Sequence, residues 1–239
     1  MTGLLLCTKY AFAPNFYQYC GPEENKLLSS YLRHDKSDPK LLSLLSEFET
    51  MYNYLVIIAH ANAIVDPFDQ RVVEAYWVGN DLLYNITKKQ TYEGLFFDQK
   101  LARRLSKKDL TWLERKIPAF AFLHHSFHVF NIFTRTGHVA LPHTVETMDN
   151  CRIGWGKVLA KSADYCVVNT QKLSYHNSKL TLNRFNKRTI RMNPAVPPIN
   201  IGDIVTYHWG WLCDIINSEK SEALHRFTLH NLALANQTI

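Results

Sequence analysis

Glycine, proline and long apolar runs are scarce in this sequence. Its 239 residues include nine glycines and nine prolines, too few for a collagen-like or low-complexity chain. No stretch approaches the roughly 18 apolar residues of a membrane-spanning helix, and the start lacks the charged region of a secretory signal. The five cysteines are odd in number and widely spaced. These features predict a cytoplasmic protein with reduced thiols, without a disulfide framework and without a membrane partner.

Several catalytic signatures are also absent. The chain has no Gly-rich phosphate loop, no Cys-x-x-Cys pair and no Gly-x-Ser-x-Gly elbow, which removes support for nucleotide binding, a zinc ribbon and an α/β-hydrolase. Positive charge is in excess, with 27 basic against 21 acidic residues, and residues 148–239 hold 11 basic and six acidic ones. Because no nucleic-acid-binding motif accompanies this excess, it favours an acidic protein partner over nucleic acid. The candidate partner-binding cations are Lys179, Arg184, Lys187, Arg188 and Arg191.

What is present is a globular composition, with 46% hydrophobic and 20% charged residues, whose pattern changes near residue 150. The first part carries helix starts at Asp38-Pro39, Asp66-Pro67 and Ser106, whereas the later part has short runs of β-forming residues between turn residues. We therefore predict an α+β chain. Residues 1–147 would form a helical domain, and residues 148–239 a small β-barrel with a C-terminal helix.

The pattern also predicts individual elements. One helix is expected to run from Asp38 through Ile58, a second to begin at Asp66, and another to open at Gly21-Pro22. Residues 119–133 favour a helix, with a buried strand as the alternative. Strands are expected at residues 154–161, 165–172, 179–185, 188–192 and 204–211, followed by a helix capped by Asn217 or Ser218.

The barrel segment carries two motifs of a known family. Cys151, Gly156 and Val158 match an opening Cys followed by a short apolar run and Gly-x-Val. The later motif, Gly-Asp-x-Val-x-x-His-x-Gly-aromatic, is matched by Gly202, Asp203, Val205, His208, Gly210 and Trp211. With these motifs, the last 90 residues or so resemble the HypC/HupF family of [NiFe]-hydrogenase maturation chaperones.

The resemblance implies a HypC-like, OB-like barrel whose Cys and His hold an iron fragment. On this basis Cys151 would be an iron ligand, and His208 a second ligand or an orienting group. The cofactor would be iron, as the Fe(CN)2(CO) fragment, and the partners a HypD-type scaffold and the hydrogenase large-subunit precursor. A thiolate and an imidazole are suitable ligands for iron, and the neighbouring cations Arg152 and Lys157 favour the thiolate. A buried structural thiol and a core histidine are the alternative.

The densest chemical signal outside the barrel is His124-His125-Ser126-Phe127-His128. On a helix, His128 would share a face with His124 and with His125, which gives half a site for a transition metal. Hydrogen-bonded structural histidines are the alternative. Further ligands would have to come from elsewhere, and the candidates by residue type are Cys20, His60, Glu74, His138 and His143.

Three functional hypotheses follow from these motifs. The first is a hydrogenase maturation factor that binds, delivers or helps to assemble the iron fragment. The second is a metalloenzyme that uses His124, His125 and His128, with the barrel as an accessory domain. The third is a metal-free adaptor that binds an acidic partner. The helical part with its His-His-Ser-Phe-His motif also resembles a bacterial family without an established activity, so whether the protein is an enzyme stays open.

Overall fold

The computed structural model describes residues 2–23, 25–34, 36–98, 106–117, 120–132, 139 and 141–237. The helices within these ranges are α1 (Gly3–Phe16), α2 (Asn25–His34), α3 (Pro39–Ser46), α4 (Glu49–Ala61), α5 (Gln70–Trp77), α6 (Lys88–Glu93), α7 (Lys107–Lys116), α8 (His125–Phe127), α9 (Val145–Cys151) and α10 (Ser218–Ala235). Short 3-10 or π turns cover Asp81–Asn85, Gly94–Asp98 and His128–Ile132.

The strands lie between α9 and α10 and form one sheet. They are β1 (Gly154–Lys161), β2 (Tyr165–His176), β3 (Lys179–Arg191), β4 (Ile204–His208) and β5 (Trp211–Ile216). The pairing order β1-β2-β3-β5-β4 closes because β4 also pairs with β1. All pairs are antiparallel except β3 with β5, which are parallel and meet at Arg191 and Trp211. The α+β prediction is therefore confirmed.

Three predicted helix starts have the expected capping chemistry. The side chains of Asp38, Ser106 and Asn217 accept hydrogen bonds from backbone N–H groups in the first turns of α3, α7 and α10. Each bond satisfies a donor that the helix itself cannot pair.

Other helix predictions need correction. The helix expected to run from Asp38 to Ile58 is two helices, because the backbone leaves the helical region at Phe48. Asp66 caps a turn at Phe68, and α5 begins after Asp69. Helix α2 begins at Asn25, after Gly21-Pro22. The sequence pattern missed α1 altogether, since most of its faces are buried and it has no polar stripe.

Two strand predictions also differ from the structure. The expected strands at 179–185 and 188–192 are one continuous strand, β3. The expected strand at 204–211 is interrupted by a two-residue turn at Trp209 and Gly210, both with positive φ. Such a turn suits the twist of an antiparallel hairpin, and it places His208 at the very end of β4.

One hydrophobic core crosses the predicted domain boundary. The boundary between Thr147 and Met148 falls inside α9. Leu5 and Leu55 belong to the same buried cluster as Ile153, Cys213 and Phe227. Helix α1 also contacts the sheet directly, since the buried Lys9 forms an ion pair with the half-buried Asp214 on β5 (3.2 Å). The helical and strand-rich parts are therefore packed as one body.

No helix in the described part of the chain is both long enough and apolar enough to cross a bilayer.

Candidate metal centre

The histidine motif lies at the start of a short helix, and its three histidines have different surroundings. Helix α8 begins at His125, and His124 is its N-cap, with Nδ1 accepting the Ser126 backbone N–H at 3.1 Å. The predicted helical pairing of His124 with His128 is therefore wrong, because His124 precedes the helix. A neutral imidazole nitrogen acts here as the capping acceptor.

A three-residue cluster joins this motif to the sheet. One possible ligand atom each from His125, Cys151 and His208 lies within 4.8 Å of the other two, and all three residues are buried. They come from the start of α8, the end of α9 and the end of β4. The fold thus brings together three residues that are spread over more than 80 positions of the sequence.

An ion-pair network centred on Asp149, two residues before Cys151, positions Cys151. The carboxylate of Asp149, 4% exposed, contacts Arg152 at 2.8 Å and Arg188 at 3.1 Å. It also accepts the backbone N–H of Leu173 on β2 at 2.9 Å. This network fastens the end of α9 to β2 and β3. The guanidinium of Arg152, predicted to favour the Cys151 thiolate, is instead bound to Asp149 and to the backbone oxygen of Gln171.

His208 is positioned by the turn that follows it. The backbone N–H of Trp209 donates to the carbonyl of Asn150 at 2.9 Å, which ties the β4–β5 turn to the residue before Cys151. The His208 Nδ1 lies 2.8 Å from the backbone oxygen of Tyr10. Because a carbonyl only accepts, Nδ1 carries the proton and Nε2 holds the lone pair. Metal-binding histidines usually donate their other N–H in this way.

His125 has the opposite tautomer. Its Nε2 lies 2.8 Å from the backbone oxygen of Cys151 and therefore donates. Its Nδ1, which then holds the lone pair, accepts the phenol O–H of Tyr76 at 3.0 Å. The ring packs against Trp77, with centroids 4.6 Å apart, and edge-on against His208, at 5.2 Å.

Burial determines the protonation states around the cluster. It lowers the pKa of His125 well below 6.5, and the nearby His208 adds to this effect. It also lowers the pKa of His124 to about 3 and raises that of Tyr76 well above 10. At neutral pH, His125 is a neutral imidazole and Tyr76 a protonated phenol. A neutral imidazole is the form that binds a metal.

A cavity of about 50 Å³ adjoins the cluster. A single water needs roughly 10–15 Å³ by the same kind of measure, so several small groups fit. His125, Cys151 and His208 line the cavity, as do Cys20, His128 and His143. Cys20 is half-buried and His143 is exposed, so the lining extends from the buried cluster to the surface.

Six candidate ligands thus line one cavity, and others lie elsewhere. His60 is exposed on α4 and lines a separate surface depression beside Val65. Glu74 is bound to Lys220 on α10. His138 lies outside the described residues.

The five cysteines all lie in the described part of the chain, form no disulfide there, and fall into two groups. Cys20 and Cys151 line the cavity. Burial raises the pKa of Cys7 to about 12, and it also raises those of Cys166 and Cys213. These three are buried thiols.

Only some of the predicted partner-binding cations are exposed to solvent. Lys179, Lys187 and Arg191 are exposed on β3, and the guanidinium of Arg191 lies over the Trp211 ring at 4.8 Å. Arg188 points to the other side of the strand, where it binds Asp149 and lies over the Tyr207 ring. It therefore supports the end of α9. The side chain of Arg184 is outside the described part of the structure.

Sequence reasoning missed the residues that orient the histidines. Tyr76 donates to His125, and the Tyr10 carbonyl accepts from His208. Nothing in the local sequence marks either one, because each resembles an ordinary apolar position of a helix.

Comparison with known proteins adds one assignment. No curated protein and no solved structure matches the chain. Over residues 1–239, the chain belongs to DUF6390, a family of unknown function.

Proposed function

We propose that this protein is a cytoplasmic accessory factor for [NiFe]-hydrogenase maturation. It would carry the Fe(CN)2(CO) fragment as cargo, or take part in its assembly. The observation that carries the proposal is the meeting of His125, Cys151 and His208 within 4.8 Å at a cavity. Two of these residues are the ligands that the HypC/HupF resemblance implies, and the third comes from the histidine motif.

The donor set suits such a cargo. One thiol and two imidazoles are soft to borderline ligands, which favour iron and other late transition metals over Mg²⁺ or Ca²⁺. Three protein ligands leave coordination positions open for small exogenous ligands, and the cavity offers space for them. A HypC-like barrel is part of the same proposal, and the closed order of β1–β5 supports it.

The partners follow from the resemblance. A HypD-type scaffold would supply the fragment, and the hydrogenase large-subunit precursor would receive it. The exposed cations Lys187 and Arg191 on β3 offer a contact surface for an acidic partner.

Infrared spectroscopy on anaerobically purified protein, co-expressed with a maturation scaffold, tests the proposal. Cyanide and carbonyl stretching bands are expected in the wild type and should be lost in Cys151→Ser. Cys166→Ser, which changes a buried thiol on β2, should keep them. A wild type without these bands would contradict the proposal.

A metalloenzyme is the second candidate, because His128, Cys20 and His143 surround the same cavity and could act on a bound substrate. Such an enzyme would need the same metal ligands, but no cyanide or carbon monoxide bound to the metal. A stoichiometric metal without cyanide and carbonyl bands, in the co-expression experiment, would favour this candidate.

A further inference from the structure

The lone pair of His125 is already engaged in the structure. Its Nε2 carries the proton and donates to the Cys151 backbone oxygen, so Nδ1 is the nitrogen able to bind a metal. That same Nδ1 accepts the O–H of Tyr76 at 3.0 Å. Since one ring nitrogen has one lone pair, a metal and the Tyr76 phenol compete for it.

Packing holds the ring of Tyr76 in place, so its oxygen stays beside Nδ1 of His125. Tyr76 is 1% exposed, and its ring packs against Trp77 at 4.7 Å and Tyr54 at 5.4 Å. A buried hydroxyl that loses its acceptor costs free energy. Metal binding through His125 therefore costs the free energy of the hydrogen bond from Tyr76.

We infer that Tyr76 makes His125 an exchangeable ligand of the metal. The metal gains His125 when the Tyr76 hydrogen bond breaks and loses it when that bond re-forms, with the phenol proton staying on its oxygen throughout. This inference rests on the proposed function, and it names the ligand that such a cargo would lose first during transfer.

The inference predicts that removal of the Tyr76 hydroxyl increases the affinity for metal. Tyr76→Phe keeps the ring and removes the competing hydroxyl, so metal should bind about three- to tenfold more tightly, the factor expected for one neutral hydrogen bond. Transfer of the metal to a chelator should slow by a similar factor. A variant that merely damaged the site would bind metal more weakly.

The experiment uses the full-length protein and Co²⁺, titrated anaerobically against a competing chelator, with stopped-flow measurement of release. Tyr31→Phe is the matched control. Tyr31 is buried on α2 and its hydroxyl donates to Asp38 at 2.8 Å, so this variant also loses one tyrosine hydrogen bond, but away from the cavity. Tyr31→Phe should leave both affinity and release rate unchanged.

His125→Ala provides a second, independent variant. It should still bind one Co²⁺ through Cys151 and His208, more weakly and with faster release. In this background, Tyr76→Phe should have no further effect, because the competition no longer exists.

The outcomes separate the inference from the proposed function. A wild type that binds no Co²⁺ overturns both. A wild type that binds Co²⁺, with Tyr76→Phe equal or weaker in affinity, overturns the exchangeable ligand alone. Loss of all Co²⁺ binding in His125→Ala also overturns the exchangeable ligand alone.

Discussion

Adjacent histidines in this chain have different chemical roles, and the difference comes from their hydrogen bonds. His124 uses Nδ1 to cap α8. His125 donates from Nε2 to Cys151 and keeps its lone pair on Nδ1. His128 lies one turn further on, at the cavity wall and edge-on to Tyr54. A residue's type therefore indicates possible metal chemistry, while its tautomer and neighbours decide its use.

The two neutral histidines predict a pH dependence of stability. In the unfolded chain, both titrate near their ordinary value of about 6.5, whereas burial lowers the pKa of His124 to about 3 and lowers that of His125 well below its ordinary value. The unfolded state thus binds more protons as the pH falls below 6.5. The free energy of unfolding should decrease by about 1.4 kcal/mol per pH unit for each histidine between pH 6 and 5.

Urea unfolding of the metal-free protein at several pH values measures this slope. His124→Asn keeps a capping acceptor and removes one titrating group, so it should reduce the slope by about one proton. An unchanged slope would show that His124 does not contribute in this way.

At this scale the sequence predicted part of the candidate site. Cys151 and His208 were proposed from their motifs, and His125 from the histidine cluster. That these three meet could not be predicted, because their contacts join α8, α9 and β4. The role of His124 was misinterpreted because the start of α8 is set by tertiary packing, which a local spacing does not contain.

At the scale of elements, the site depends on the contact between the end of α9 and the β4–β5 turn. The end of α9 is fixed by the buried carboxylate of Asp149 between two guanidinium groups. The β4–β5 turn is fixed through the Trp209 backbone on Asn150. Each fixed point lies within two residues of a candidate ligand, so a shift of either would separate Cys151 from His208.

Removal of the Asp149 carboxylate tests this dependence. Asp149→Ala would leave the guanidinium of Arg152, 1% exposed, buried without its partner, and should lower the free energy of unfolding by about 3–5 kcal/mol. Metal affinity should also fall, because the end of α9 loses its anchor.

The control is Lys89→Ala in the exposed pair of Lys89 with Glu93, which should change stability by no more than about 0.5 kcal/mol. Equal effects of the two substitutions, measured by urea unfolding, would refute the anchoring role.

At the scale of the whole molecule, the helical part and the sheet share a core. Phe227 and Leu224 of α10 are fully buried in the same cluster as Leu5 and Leu55. Caps and β-forming runs in the sequence predicted the α+β class and many boundaries. They could not predict α1 or the shared core, because a helix that is buried on most sides has no amphipathic stripe.

This packing predicts a single unfolding transition. The full chain should unfold in urea in one cooperative step, with the same midpoint by circular dichroism and tryptophan fluorescence. A fragment of residues 1–147 lacks Ile153, Cys213 and the buried face of α10, so it should not unfold cooperatively. Two separate transitions, or a stably folded fragment, would support independent domains instead.

The central claim is that His125, Cys151 and His208 bind one transition metal ion. Zinc-edge X-ray absorption of full-length protein loaded with one equivalent of Zn²⁺ tests it most directly, since Zn²⁺ accepts the same ligands. The account predicts one sulfur at about 2.3 Å and two imidazole nitrogens at about 2.0–2.1 Å, with the sulfur lost in Cys151→Ser. A zinc shell without sulfur, or protein that retains no zinc, would contradict it.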